Sequence, residues 1–132
     1  MPAELSIRLP RDRAAVSAAR EAICSSFDGL GRKQSSDLTL VVSELVSNAV
    51  VHGRGRITLT LRFDDGHIEG EVIDAGEGFE RQMRKRRADD FGGHGLAIVE
   101  ALCTRWGVHG GTTHVWFELG SRGRPAIASP SA

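Results

Sequence analysis

Between Arg56 and Ile73 the chain commits itself to a sheet. Ile57, Leu59, Leu61 and Phe63 recur at every second position, which puts apolar side chains on one face of a strand and the intervening residues on the other. Asp65-Gly66 follows, a pair suited to the positive backbone angles of a tight hairpin turn, and His67 to Ile73 supplies a second run of strand length. A lone hairpin cannot bury its apolar face. The rest of the chain has to cover it.

The flanking segments provide that cover. Glu4 to Leu9 alternates polar and apolar residues and predicts a strand with Leu5, Ile7 and Leu9 inward. Pro10 closes it, and Arg11 to Phe27 reads as an amphipathic helix with Val16, Ala19 and Ile23 on one face. After the Asp28–Gly31 loop, Ser35, Ser36 and Asp37 offer N-cap groups for a second helix that runs to about His52 and is ended by Gly53. Beyond the hairpin, Leu96 to Cys103 reads as a helix, and Arg105–His109 with Thr113–Leu119 as a closing strand pair around Gly110-Gly111. The order predicts an α+β fold, a two-layer sandwich of a mixed β-sheet with helices on one face. Residues 1–119 form one domain in this reading. The tail, 120–132, is mostly Ser, Pro, Gly and Ala without a core pattern and is expected to be disordered.

Composition excludes several classes of function. Seventeen basic and 17 acidic residues balance, so no bulk field draws the chain to nucleic acid or a membrane. The run Arg84 to Arg87 has no interleaved aromatic residue and is followed by Asp89-Asp90, which favours a solvated loop over a nucleic-acid contact. Cys24 and Cys103 have no CxxC partner, and no His/Cys spacing suits a structural zinc. With no signal peptide and no membrane-length apolar run, a cytoplasmic location with two free thiols is expected. Trp106 and Trp116 are expected to pack in the core or at an interface. His67, His109 and His114 show no evident partner and are expected on the surface or on a strand face.

Three clusters carry chemistry. In Glu44-Leu45-Val46-Ser47-Asn48-Ala49-Val50-Val51-His52, the carboxylate, amide and imidazole each advance about 40° around a helix, forming one continuous stripe. Leu40, Val41 and Val51 border that stripe, and Leu38, Val42, Leu45 and Ala49 make the adjoining face. A charge within so apolar a helix has to be paired or serve a ligand. The helix alone leaves open whether these groups sit at the rim bonding backbone atoms or form a site. Asp74-Ala75-Gly76-Glu77-Gly78-Phe79 puts a carboxylate at a strand end with glycines two and four residues on, which suits a backbone bending around a planar ligand or an ordinary turn. Gly92-Gly93-His94-Gly95 opens directly into a helix, where exposed N–H groups and the dipole make an anion site, or else a hinge. It matches neither the Walker A nor the GxGxxG pattern.

Taken in order, ELVSNAVVH, DAGEGF, GGHGL and GTTHVWFEL resemble the GHKL (histidine-kinase-like) ATPase family at its N box, G1 box, G2 box and final threonine strand. The chain is most similar to the small anti-sigma-factor serine/threonine kinases of Gram-positive bacteria. The resemblance spans about residues 4–119 and implies the Bergerat ATPase fold. It further implies that Asn48 holds the Mg²⁺ bridging the ATP phosphates and that Glu44 is the general base, with His52 near the phosphates. Asp74 would bond the adenine amine, beside Gly76 and Gly78. Gly93, His94, Gly95 and Leu96 would form the phosphate-contacting turn, Thr113 would hold adenine through water, and 80–91 would be the ATP lid. The implied cofactors are ATP and Mg²⁺. The implied partners are a sigma factor and a small antagonist protein that is phosphorylated, with a second copy completing a homodimer.

A non-catalytic ATP-binding switch module that binds a regulatory partner is the competing reading. The intact Glu44 favours the kinase. The short lid, and His94 where the family often has a basic residue, favour the switch. A histidine-kinase fragment is ranked below both, because fewer than 45 residues precede the N box and a phosphoacceptor hairpin needs more.

Overall fold

The computed structural model describes residues 3–27, 29–75, 94–108 and 114–120, with the backbone alone at 94–96. In chain order the elements are β1 (Ala3–Leu9), α1 (Ala14–Ser26), α2 (Arg32–His52), β2 (Ile57–Asp64), β3 (His67–Ile73), α3 (His94–Leu102), β4 (Arg105–Val108) and β5 (Val115–Leu119). The strands form one sheet in the order β1-β2-β3-β5-β4. The α+β sandwich is as expected. The mixed pairing is not: every described pair is antiparallel. The connections explain this. Two helices in series between β1 and β2 carry the chain across and back to the end it left, and the hairpin joining β2 to β3 reverses direction by construction.

That hairpin turns where the sequence indicates. Asp65 and Gly66 take φ of 52° and 83°, the left-handed pair that matches the twist of the flanking strands. Ile57, Leu59 and Leu61 are fully buried on the inner face, opposite Leu9, Ile7 and Leu5 of β1. Ile68, Val72, Val115, Phe117 and Leu119 continue that face across β3 and β5. The three described helices lie on it, with α2 packed between α1 and α3. Leu38, Val41, Val42, Leu45 and Val46 of α2 are buried, each side chain contributing about 1.5–3 kcal/mol relative to exposure.

Two helix starts differ from the expected ones. α1 begins at Ala14, because the Asp12 carboxylate accepts the Ala14 N–H at 2.8 Å and Arg11 is drawn elsewhere. α2 begins at Arg32, ahead of Ser35, Ser36 and Asp37. Gly31 stands at its N-cap with extended backbone and no side-chain cap, and its carbonyl accepts the Ser35 N–H at 2.9 Å. Gln34 ties this end of α2 to the hairpin, donating from Nε2 to the Gly66 carbonyl at 2.7 Å.

Candidate functional site

The opposite end of α2 is organised differently. Glu44, Asn48 and His52 form the expected stripe, and all three are half-buried. The apolar residues beside it are not all sequestered: Leu40 is 43% and Val51 64% exposed, against none for Val41 on the core side. The stripe is therefore a rim between core and solvent. Ser43, on the far flank, is buried against α1 and accepts a hydrogen bond from Arg20 Nε at 3.2 Å.

Gly53 ends the helix, its N–H bonded to the Ala49 carbonyl at 2.8 Å. Its missing side chain matters more than its backbone angles. A Cβ at this position would overlap the carboxylate of Asp74, so Asp74 nests directly against the helix exit. Two further bonds fix that junction. The Ala75 N–H donates to the Arg54 carbonyl at 2.9 Å, clamping the end of β3 onto the loop after α2. Arg11, from the loop between β1 and α1, donates from its guanidinium to the Gly53 carbonyl at 2.5 Å. His52 and Asp74 are each engaged by neighbours.

The fold thus brings Asp74, at the end of β3, against Gly53, the residue that follows the Glu44, Asn48 and His52 stripe along α2, across 21 positions of sequence. α3 packs beside α2. Just past its last residue the Thr104 N–H bonds the Glu118 carbonyl near the end of β5 at 2.8 Å, so the helix starts away from that end of the strand. Helical backbone at His94 agrees with a helix opening out of the second glycine cluster. Gly76, Gly78, Gly93 and Thr113 lie outside the described residues, as do the segment 80–91, the run Arg84 to Arg87, His109 and the tail 121–132.

Arg11 and the second role of Gly53 emerge only in the fold. Arg11 reads as the first helical residue after Pro10, and only the fold reveals its acceptor 42 residues away. Gly53 reads as a helix stop; its second reason, the approach of Asp74, has no local signal.

Two histidines also find partners that only register provides. His114 Nε2 lies 2.5 Å from Glu71 on the outer sheet face, and His67 Nε2 lies 3.5 Å from Glu69. His67 is on a strand face and His114 stands just before β5, and neither is isolated. The thiols are free: Cys24 is exposed, and Cys103 is half-buried below the helices, its pKa pushed up to about 12 by burial, then by Asp37 and Glu100. No described helix is long and apolar enough to cross a membrane.

The profile of the family described as histidine kinase-like ATPase domain matches residues 8–119. A sensor histidine kinase component, HK1, of Mycobacterium tuberculosis is 35% identical over 88 residues, covering 58% of this chain and 52% of that protein. A serine-protein kinase, RsbW, of Oceanobacillus iheyensis is 30% identical over 90 residues, covering 56% of this chain and 57% of that protein. The chain spans about half the length of these relatives. Among solved structures, that of the RsbU and RsbW domains of Rv1364c from M. tuberculosis superposes with a TM-score of 0.64 at 23% identity, over 90% of this chain and 31% of that one. At that identity the superposition speaks for the fold.

Proposed function

The chain belongs to the histidine kinase-like ATPase domain family, and from that premise we propose that it is an ATP- and Mg²⁺-dependent serine/threonine protein kinase. It acts as an anti-sigma factor, phosphorylates a small antagonist protein and holds a sigma factor in the competing state, as a homodimer in the cytoplasm. The observation that carries the reading is the packing of the Asp74 carboxylate against Gly53, at the exit of the helix that bears Glu44, Asn48 and His52.

The donor set fits the group it would hold. Asp74 offers a carboxylate for an exocyclic amine, in a nest that admits no Cβ. Asn48 offers a neutral amide oxygen to Mg²⁺, one and a bit helical turns from the Glu44 carboxylate. Bound ATP with Mg²⁺ supplies the phosphoryl group and neutralises its charge. The chain's own residues do the rest. Glu44, half in solvent and half against the core, accepts the proton of the attacking serine hydroxyl. Backbone N–H groups of Gly93, His94, Gly95 and Leu96 would hold the phosphates and favour their negative charge. His52 would serve the phosphates, Gly76 and Gly78 the adenine side, and Thr113 would hold adenine through water.

The switch reading, ATP binding without transfer, keeps every one of these contacts except the work of Glu44. A third reading, the ATP-binding part of a sensor histidine kinase, is favoured by the 35% identity to HK1. Titration with Mg-ATP, followed by phosphorylation assays against serine-bearing antagonist proteins and a histidine-bearing helical hairpin, separates the three. Labelled serine supports the proposal and labelled histidine supports the third reading. Binding with no transfer to either, and partner binding unchanged by Glu44→Ala, supports the switch. Failure of Mg-ATP to bind more tightly than about millimolar, a free energy of only about −4 kcal/mol, rejects all three.

A further inference from the structure

The described helices all lie on one face of the sheet. On the other face, register sets a row of charge across four strands: Arg62 of β2 opposite Glu69 of β3, Glu69 opposite Glu118 of β5, and Glu118 opposite Arg105 of β4. Two like charges directly opposite each other weaken a sheet unless something positive stands between them. The arginines flank this pair from outside, at 3.7 and 3.9 Å, too far for hydrogen bonds.

His67 closes the third side. It precedes Glu69 by two positions, so the period of the strand puts both side chains on the same face. Its Nε2 lies 3.5 Å from Glu69 Oε2 and 4.0 Å from Glu118 Oε1, and the three donor atoms fall within 4.8 Å of one another. Glu69 turns its other oxygen, Oε1, to Arg62, which leaves Oε2 for the centre of the group. The neighbouring His114–Glu71 pair shows how closely a histidine and a glutamate approach when they satisfy each other, at 2.5 Å. Around His67 no pair closes in that way. One imidazole nitrogen and two carboxylate oxygens converge on a common point without touching.

We propose that His67, Glu69 and Glu118 bind a divalent transition-metal ion of the zinc class on the outer face of the sheet. Tetrahedral zinc, with bonds of about 2.0–2.2 Å, sets its donor atoms about 3.3–3.5 Å apart. His67 and Glu69 already stand at that spacing, and the half-buried glutamates can bring in the rest by side-chain rotation. One imidazole with two carboxylates suits zinc better than magnesium or calcium, which favour oxygen donors alone. A fourth position is left to water. The ion converts the repulsion between Glu69 and Glu118 into a cross-link from β3 to β5. It lies across the sheet from the α2 stripe, so the site is independent of Asn48 and of the nucleotide reading. The competing occupant of the same point is a proton on His67, which would bridge both carboxylates without a metal.

The test is a calorimetric titration of the full chain with zinc chloride, after chelator treatment and without nucleotide. One ion per chain is expected, with a dissociation constant of about micromolar or tighter, together with a rise in the unfolding midpoint. His67→Gln, Glu69→Gln and Glu118→Gln are each expected to weaken zinc binding about tenfold or more and to lose that rise. Their circular dichroism and Mg-ATP affinity are expected to match the wild type, which shows that each variant is folded. Cys24→Ser is expected to leave zinc binding unchanged, setting aside the exposed thiol as a ligand. Zinc that binds no more tightly than about 100 μM overturns the proposal and leaves the protonated His67 as the bridge. A loss confined to His67→Gln marks a lone surface imidazole and overturns it as well. So does zinc binding that survives all three substitutions or disappears with Cys24→Ser.

Discussion

α2 is one helix with two unlike flanks. Leu38, Val41, Val42, Leu45 and Val46 are closed off from solvent beneath the sheet and neighbouring helices. Glu44, Asn48 and His52 run along a rim, with Leu40 and Val51 exposed beside them. Packing determines the first flank. On the second, nothing apolar requires a carboxylate, an amide and an imidazole in line, and their arrangement answers to whatever lies against them. Apolar packing and the polar stripe therefore occupy separate faces of this helix, and meet only at its exit, where Gly53 receives Asp74.

The largest effect expected is on the core flank. Leu38→Ala removes a side chain with no exposed surface and should lower unfolding stability by about 2–5 kcal/mol, measured by urea denaturation, while leaving Mg-ATP affinity within a factor of about two once the protein is folded. A comparable loss of ATP binding would show that the flanks are coupled. Gly53→Ala should fall between the two. The new Cβ has to displace the Asp74 carboxylate, which predicts about 1–3 kcal/mol of destabilisation together with weakened ATP binding. Loss of stability with ATP affinity intact would remove Asp74 from the nucleotide. On the rim, Asn48→Ala should weaken Mg-ATP by about tenfold or more, seen by calorimetry, with stability changed by only about 0.5 kcal/mol.

The smallest effect concerns the underside of the core. Cys103 holds its proton more tightly in the folded protein, with a pKa of about 12 against an ordinary 9.0. Its contribution to stability is therefore complete below pH 9.0 and is lost as pH rises towards 12. Cys103→Ser should flatten the alkaline limb of a stability profile between those values. At neutral pH a thiol-alkylating reagent should label exposed Cys24 well before Cys103.

Much of this was legible in the residues. Alternation at Ile57, Leu59, Leu61 and Phe63, then Asp65-Gly66, defined the central hairpin, because period and turn chemistry are local. The stripe on α2 was legible for the same reason. The start of α2 was not. Ser35, Ser36 and Asp37 are strong caps by residue type, yet Gly31 serves through its backbone and leaves no side-chain signature. The two helices between β1 and β2 were legible, but that β3 takes β5 as its neighbour, with antiparallel pairing throughout, rests on contacts far apart in sequence. Arg11, His114 and the nest at Gly53 depend on partners 42, 43 and 21 positions away. No window along the sequence contains them.

The central claim is that Asp74, seated against the exit of α2, reads the adenine, while the helix stripe and the start of α3 deal with phosphate. Titrating wild type and Asp74→Asn with Mg-ATP and with magnesium tripolyphosphate tests it most directly. The account predicts that the variant loses about tenfold or more in affinity for ATP and keeps its affinity for tripolyphosphate. Equal losses for both ligands, or none for either, would contradict it.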